Sequence, residues 1–498
     1  MGSDFLFVDF GDAKSQRLAL SKRKHAFLQK KHHQRRKEES LLRLKTSIRP
    51  FSNGSTSEPT AENARHLQSR QTDDRSFHEP LMPRSLRKSI SPGLVDPFST
   101  LPISMAGQMD SYFYHYKNSF SRSIYPFEPD KMSAFWWQRS SNDPALLQAI
   151  LGTSAWHQSC LRQATGTYTA VASKSTLDSI QLRSRSMKSL QHVLENLTEA
   201  FLETTILTIA KLICVESGTA NLDAVSAHVS GLIRLVHLRG GLDNLEDSTI
   251  TTIYSGDYVR GLLTGSPPAF PMSSAWKNRI VEQSRISKGS SENSITDIPG
   301  LRFFTSPWSR DLDPTMKSLL RLFQRLTLLL KPMEYDELTG TLADNNLVIL
   351  AGHQLLSLSF SGALAGFHEA LRLAMVVYSA FRIFDLQFMP NRRIIVDDLD
   401  RTLHSSFPTL KDKAPDLLFW ILFVGGLASQ DLECHDWFVV RLAETADCLE
   451  IYDWNTALSL LRQFFFVLRP AETKPACLWN QVLARQTHTL TSDGPHLH

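Results

Sequence analysis

The sequence contains little cysteine: five residues in 498, scattered between Cys160 and Cys477. Small secreted domains that depend on disulfides have dense, closely spaced cysteines, so this class is excluded. We expect free thiols in a reducing compartment.

Long apolar runs are also absent. The longest extends from Leu417 to Ala428, twelve residues, whereas a membrane-spanning helix needs roughly 20. The segment from Met1 to Asp12 has three aspartates and no basic stretch before an apolar one, unlike a signal peptide. We therefore expect no membrane association, and a buried helix at 417–428.

Motifs of known catalytic chemistry are missing, including G-x-S-x-G, G-x-G-x-x-G, the phosphate-binding loop and H-E-x-x-H. His368 has no second histidine at helical spacing, and Cys434-His435 with Cys448 lacks the close cysteine pair of a zinc site. We therefore expect that the protein is not an enzyme and that it holds no metal ion or cofactor. An unrecognised enzyme using His157, His228 and His368 remains an alternative.

Strand-type alternation is almost absent, and apolar residues recur instead at helical spacing. Asp143-Pro144 is typical of a helix start, with aspartate as the cap and proline at the first helical position. The pattern predicts an all-α fold without internal repeats. The predicted helices are 177–197, 199–215, 221–238, 316–330, 347–358, 363–384, 416–427, 437–449 and 454–468.

Two apolar features have both a structural and a functional interpretation. The stripe from Leu222 to Val236 is favoured as core packing over a partner groove. The pair Trp136-Trp137 could line a ligand pocket, but we favour one core and one surface residue.

Positive charge is concentrated at the N-terminus. Residues 1–90 hold 19 Lys/Arg against 10 Asp/Glu, although the whole chain has a net charge of only +4. Residues 14–49 carry thirteen of these cations, but their apolar residues do not line up on one face of a helix. Such a helix would have no apolar face to bury, so we expect a disordered tail at 1–49. The Ser-, Arg- and Pro-rich stretch 50–95 is predicted to be a disordered linker.

The tail has three interpretations. Two basic clusters ten residues apart favour recognition by a nuclear import receptor. The same cations could contact DNA phosphates, and the arginines among them could also contact the edges of bases in the major groove. The third interpretation is a solvated tail without a specific partner. A leucine zipper is excluded because the tail has no heptad repeat of apolar residues. The candidate residues are Lys22, Arg23, Lys24, Lys30, Lys31, Arg35, Arg36 and Lys37.

Five parts of the sequence carry a family resemblance. In order they are Asp96-Pro-Phe-Ser-Thr-Leu-Pro-Ile103, the segment 109–116, Asp143-Pro-Ala-Leu-Leu-Gln-Ala-Ile150, the segment 228–242, and the segment 417–426 followed by 437–441. Together they resemble the fungal-specific transcription factor domain, and their order and spacing extend the resemblance over roughly residues 95–470. It implies an all-α regulatory domain of nuclear regulators of fungal gene expression.

Many relatives carry an N-terminal binuclear zinc cluster with six cysteines. This chain has five cysteines and none before Cys160, so it resembles the subset without the cluster. That subset has a short opening like Phe5-Leu-Phe-Val-Asp9 followed by a basic stretch.

We therefore predict a nuclear transcription regulator controlling a fungal biosynthetic or metabolic gene cluster, including secondary metabolism. Its regions are the basic tail 1–49, the linker 50–95, the helical regulatory domain 96–470 and the C-terminal tail 471–498. The expected partners are DNA through the basic tail, an import receptor, and a second copy or a partner regulator. The alternative is a co-regulator that does not bind DNA and acts through a partner protein.

Overall fold

The computed structural model describes residues 96, 100–105, 107–166, 170–195, 202–286, 298–330, 340–469 and 472–492. Within these ranges every regular element is helical and no strand occurs, which confirms the all-α prediction. The helices of eight or more residues are α1 (Gln108–His115), α2 (Pro129–Ser140), α3 (Pro144–Ala164), α4 (Ala170–Glu195), α5 (Glu203–Gly218), α6 (Leu222–Leu238), α7 (Asp247–Thr264), α8 (Ser274–Ile286), α9 (Pro314–Leu330), α10 (Leu342–Ser357), α11 (Ala365–Tyr378), α12 (Arg392–Lys413), α13 (Pro415–Ala428), α14 (His435–Cys448), α15 (Trp454–Gln463) and α16 (Lys474–Ser492).

The predicted start of α3 is confirmed, and a second local cap, which was not predicted, starts α10. Asp143 Oδ1 accepts a hydrogen bond from the Leu146 amide at 2.9 Å, with Pro144 in the first turn of α3. At α10, Thr341 and Asp344 form a reciprocal capping box. Each cap satisfies amide groups that have no partner within the helix.

The apolar run of the sequence is the central helix α13. Every residue from Asp416 to Ala428 is buried, because α11, α12, α14 and α16 surround this helix. Asp416, at its first turn, accepts a hydrogen bond from Trp308 Nε1 at 2.9 Å and pairs with Arg302. None of the helices that the structure describes is both long and apolar enough to cross a bilayer.

Helix α6 is only partly buried. Val225, Leu232 and Val236 of the predicted stripe enter the core, but Leu222 and Ile233 are 57% and 43% exposed. The core interpretation therefore fails at these two positions. The reason is that α6 packs mainly against α5, so a neighbour covers only one side of the stripe.

Several helices were not predicted from the sequence. Helix α7 is buried on most sides, so its sequence has no contrast between a polar and an apolar face. Helix α12 contains Pro408, which is a signal against helix. Residues 471–498, which the sequence sets apart as a tail, include α16, and α16 packs against α13 and α14.

The packing that forms the candidate site involves α2, α5, α7 and α10. Helix α5 packs against α3, α6 and α7, and α7 also contacts α10. A π-helical turn, Tyr116–Phe120, continues α1 and brings two aromatic rings against α5.

Candidate ligand-binding site

The structure does not describe the residues that the sequence singled out for import or DNA contact. Lys22, Arg23, Lys24, Lys30, Lys31, Arg35, Arg36 and Lys37 all lie outside the described residues. Their roles remain predictions. The candidate site of the described chain is elsewhere, in the helical domain.

A cavity of about 370 Å³ lies between α2, α5, α7 and α10. The lining includes the apolar residues Phe135 and Trp136 of α2 and Ile349 of α10, whereas α7 contributes hydroxyl groups such as those of Thr251 and Ser255. Thr251 Oγ1 is buried and has no hydrogen-bond partner in the structure. This size and the mixture of apolar walls with a few polar groups are typical of small-molecule sites.

Lys211 of α5 is the charged residue of this lining. Its side chain is buried, with the residue only 5% exposed. The Nζ atom lies 3.8 Å from the ring centroid of Trp136 and 5.9 Å from those of Tyr116 and Phe120. The quadrupoles of aromatic rings attract a cation placed over their faces, so the three rings form an aromatic cage for the ammonium group.

Two tyrosine hydroxyls complete the cage. Lys211 Nζ lies 3.5 Å from the hydroxyl oxygens of both Tyr116 and Tyr125, and Trp136 Nε1 donates to Tyr125 at 2.7 Å. Burial, together with the neighbouring Tyr125, raises the pKa of Tyr116 well above its usual range. Tyr116 is therefore a neutral phenol and supplies no negative charge to Lys211.

Within the described chain, no carboxylate lies within 4.0 Å of Lys211 Nζ, and no acidic residue lines the cavity. The cation is thus balanced only by ring faces and hydroxyl dipoles. An anion entering the cavity would meet an unneutralised positive charge in a largely apolar setting, where electrostatic attraction is strongest.

The rim of the cavity is held in place by contacts between the start of α2 and α10. Asn345 accepts from the Phe127 amide at 3.2 Å and donates to the Phe127 carbonyl at 2.8 Å. Glu128, which has a positive φ of 44°, accepts from the Leu342 amide at 2.9 Å. Because backbone groups are fixed on both sides, the cavity is preformed.

The chemistry of the lining favours binding over reaction. Burial raises the pKa of the Cys214 thiol, although the charge of Lys211 opposes this shift. The thiol is therefore protonated rather than an activated thiolate. What the lining can do is hold an apolar body and pair with one anionic group.

Two features of the sequence point weakly to this site. Trp136 lines the cavity, whereas Trp137 packs edge-on against Phe113 with ring centroids 4.2 Å apart. Trp136 is buried in the core, as the favoured interpretation of the pair expects, but that interpretation did not include its place in the cavity lining. The other signal is Lys211 itself, which interrupts the apolar run 205–215.

A pair of histidines, the half-buried His115 and the buried His157, lies beside the Phe120 ring of the cage. His115 Nε2 and His157 Nδ1 are 2.7 Å apart, and the Phe388 ring packs edge-on at 4.2 Å from the His157 ring. Burial, and then the charge of Arg162, lowers the pKa of His115 to about 4; burial also lowers that of His157 well below its usual range. Both imidazoles are therefore neutral at pH 7.

The histidines considered for an enzyme have separate surroundings. His157 contacts His115, whereas His368 Nε2 lies 3.2 Å from the Asp313 amide nitrogen. His228 is half-buried, and none of the three lines the cavity at Lys211 or a second one between Arg302 and Gln463. The structure does not bring these histidines together at a concave site.

Cys434 carries a half-buried thiol, and both ring nitrogens of His435 contact neighbouring polar side chains. Burial raises the pKa of the Cys434 thiol to about 11, and His435 Nδ1 and Nε2 contact Ser429 and Gln481 at 3.1 and 2.9 Å. In the part of the chain that the structure covers, no three His, Cys, Asp or Glu side chains are placed to hold a metal ion.

Comparison with known proteins adds one finding. The family described as the fungal specific transcription factor domain matches residues 111–464, a range that includes the cavity and α13. No curated protein matches the chain, and no solved structure matches it. Because the match covers most of the sequence, the chain belongs to the fungal-specific transcription factor domain family and has the role of a transcription regulator.

Proposed function

We propose that this protein acts in the nucleus and controls the transcription of a fungal biosynthetic or metabolic gene cluster. The observation that carries the proposal is the family match over residues 111–464. The target genes follow from the family by analogy, since a fold alone does not define a function.

In this proposal the basic tail delivers the protein to the nucleus and to DNA. Residues 14–49 carry thirteen cations opposed only by Glu38 and Glu39. Contacts between such a segment and several phosphates release counterions and give an affinity that falls steeply with salt. They also give little sequence preference, because phosphate contacts position a protein without reading bases.

The helical domain would receive the regulatory signal. Its preformed cavity at Lys211 supports binding of a small molecule, and the exposed apolar residues Leu222 and Ile233 on α6 support contact with a second copy or a partner regulator. The role is regulatory and not catalytic.

Chromatin immunoprecipitation of the tagged full-length protein tests the tail. Replacing six cations of the two basic clusters by glutamine should remove both nuclear accumulation and chromatin recovery. The matched control removes six cations from the linker and should change neither. The cluster variant carries Lys22→Gln, Arg23→Gln, Lys24→Gln, Arg35→Gln, Arg36→Gln and Lys37→Gln. The control variant carries Arg65→Gln, Arg70→Gln, Arg75→Gln, Arg84→Gln, Arg87→Gln and Lys88→Gln.

Transcript profiling after deletion of the gene tests the regulatory role itself. We expect the transcripts of a set of neighbouring metabolic genes to change together under producing conditions. Unchanged transcripts in every such condition would contradict the proposal.

A second candidate is a co-regulator that does not bind DNA itself. It is favoured by the cysteine count, since five cysteines are fewer than the six of the family's zinc cluster. Gel-shift titration of the purified chain separates the two candidates. Retardation below about 100 mM salt, where phosphate contacts are strongest, supports direct binding. Its absence there supports the co-regulator.

A further inference from the structure

Lys211 differs from the other buried cations of the described chain. Arg260 pairs with Asp257 at 2.7 Å, and Arg382 pairs with Glu472. Lys211 is as deeply buried as these two arginines, yet among the described residues it has no carboxylate partner. Withdrawing an ammonium group from water costs several kcal/mol unless a counter-charge is supplied.

The missing counter-charge has room to enter. The cavity beside Lys211 measures about 370 Å³, and none of the residues that line it is acidic. Apart from Lys211 its walls are neutral and consist of rings, aliphatic chains, hydroxyls, amides, the Met132 thioether and the protonated Cys214 thiol. A ligand with several charges would leave the additional charges unpaired in this setting, which is costly.

From this arrangement we propose that the cavity binds a small, largely apolar organic acid. Its single anionic group pairs with Lys211 Nζ, and its apolar body lies between the Trp136 and Phe135 side of the cavity and Ile349 of α10. The unsatisfied Thr251 hydroxyl offers one further hydrogen bond. The inference rests on the proposed function, for which this acid is the regulatory effector.

The aromatic cage explains how the cation persists without ligand. Trp136, Tyr116 and Phe120 hold the ammonium group by their ring faces, and Tyr125 holds Trp136 through its indole N–H. Because the charge is already in position, the protein loses little conformational freedom when a ligand binds, and this favours affinity.

Two matched fluorescent probes test the inference on the full-length protein. Anilinonaphthalenesulfonate has an aromatic body and one anionic group, and N-phenylnaphthylamine has the same body without the charge. We expect the wild type to bind the sulfonate more tightly. Lys211→Met keeps the apolar stem and removes the charge, so it should weaken sulfonate binding at least about tenfold and leave binding of the neutral probe unchanged.

Two further variants control for other causes. Lys188→Met removes an exposed lysine of α4 and should affect neither probe. Ser255→Leu narrows the cavity from α7 and should weaken both probes. Circular dichroism and the unfolding midpoint establish that each variant is folded. If Lys211→Met failed this control, the loss of both probes in Ser255→Leu would still locate the site.

Equal sulfonate affinity in the wild type and in folded Lys211→Met would overturn the inference. So would sulfonate binding that persists unchanged in Ser255→Leu, because the probe would then lie elsewhere. These outcomes are independent of the proposed function. If gene deletion changes transcripts while Lys211→Met binds the sulfonate normally, the regulatory role stands and this site fails. If Lys211→Met loses the sulfonate but deletion changes no transcript, the site stands and the role fails.

Discussion

Acidification should destabilise this protein through the contact between His115 and the buried His157. The 2.7 Å contact between His115 Nε2 and His157 Nδ1 needs one nitrogen to donate and the other to accept. Two protonated imidazoles would present two donors to each other, so the contact fails when both are charged. Burial, followed by the charge of Arg162, lowers the pKa of His115 to about 4.

The sign and size of the effect follow from proton linkage. An unfolded histidine has a pKa of about 6.5, so between pH 6.5 and about 4 the unfolded chain binds a proton that the folded chain excludes. Stability is therefore full above pH 6.5 and falls as the pH drops. For His115 alone the loss from pH 7 to pH 5 is about 2 kcal/mol. His157, whose pKa is also lowered by burial, adds a loss of the same sign.

Urea unfolding of the wild type and of His115→Gln at pH 7 and pH 5 measures how much His115 contributes to this loss of stability. The variant should lose about 2 kcal/mol less than the wild type between the two pH values, because glutamine does not titrate. His237→Gln, at an exposed position of α6, serves as the control and should retain the full wild-type loss. Equal losses in the wild type and His115→Gln would refute the reasoning.

Three further substitutions test the packing, each by urea unfolding. Gly352→Ala should lower the free energy of unfolding by about 1–3 kcal/mol, because the new Cβ would lie 2.5 Å from the fully buried ring of Tyr258. Gly231→Ala should raise the free energy of unfolding by up to about 1 kcal/mol, since a Cβ at this helical position would have no atom within 4 Å. A lower free energy of unfolding in this variant would contradict the open surroundings of Gly231. Arg382→Met should lower it by about 3–5 kcal/mol, because it leaves the Glu472 carboxylate without its buried partner. Adding Glu472→Gln should recover part of that loss, and no recovery would mean that the ion pair is not the cause.

Local sequence determined the helical class and several helix starts. Asp143 and Pro144 fix the first turn of α3, because the side-chain cap and the proline act on groups of their own helix. The run 417–428 specified a buried helix, since an apolar segment too short for a membrane must lie in a core. The ordered motifs between 96 and 441 likewise identified the family that the comparison shows. By contrast, α7 and α12 were missed because one lacks amphipathic contrast and the other contains Pro408.

The candidate site was decided by the tertiary structure. Its aromatic cage joins Tyr116, Phe120 and Trp136 to Lys211, which lies 75 or more positions further along the chain. Periodicity reports which face of a helix is apolar, but not which neighbours cover it. For the same reason Leu222 and Ile233 were expected in the core and are exposed. The charge state of His115 is equally invisible in the sequence, because its pKa depends on burial and on an arginine 47 positions away. Helix formation depends on near neighbours in the chain, whereas a cavity and its electrostatics depend on which distant segments pack together.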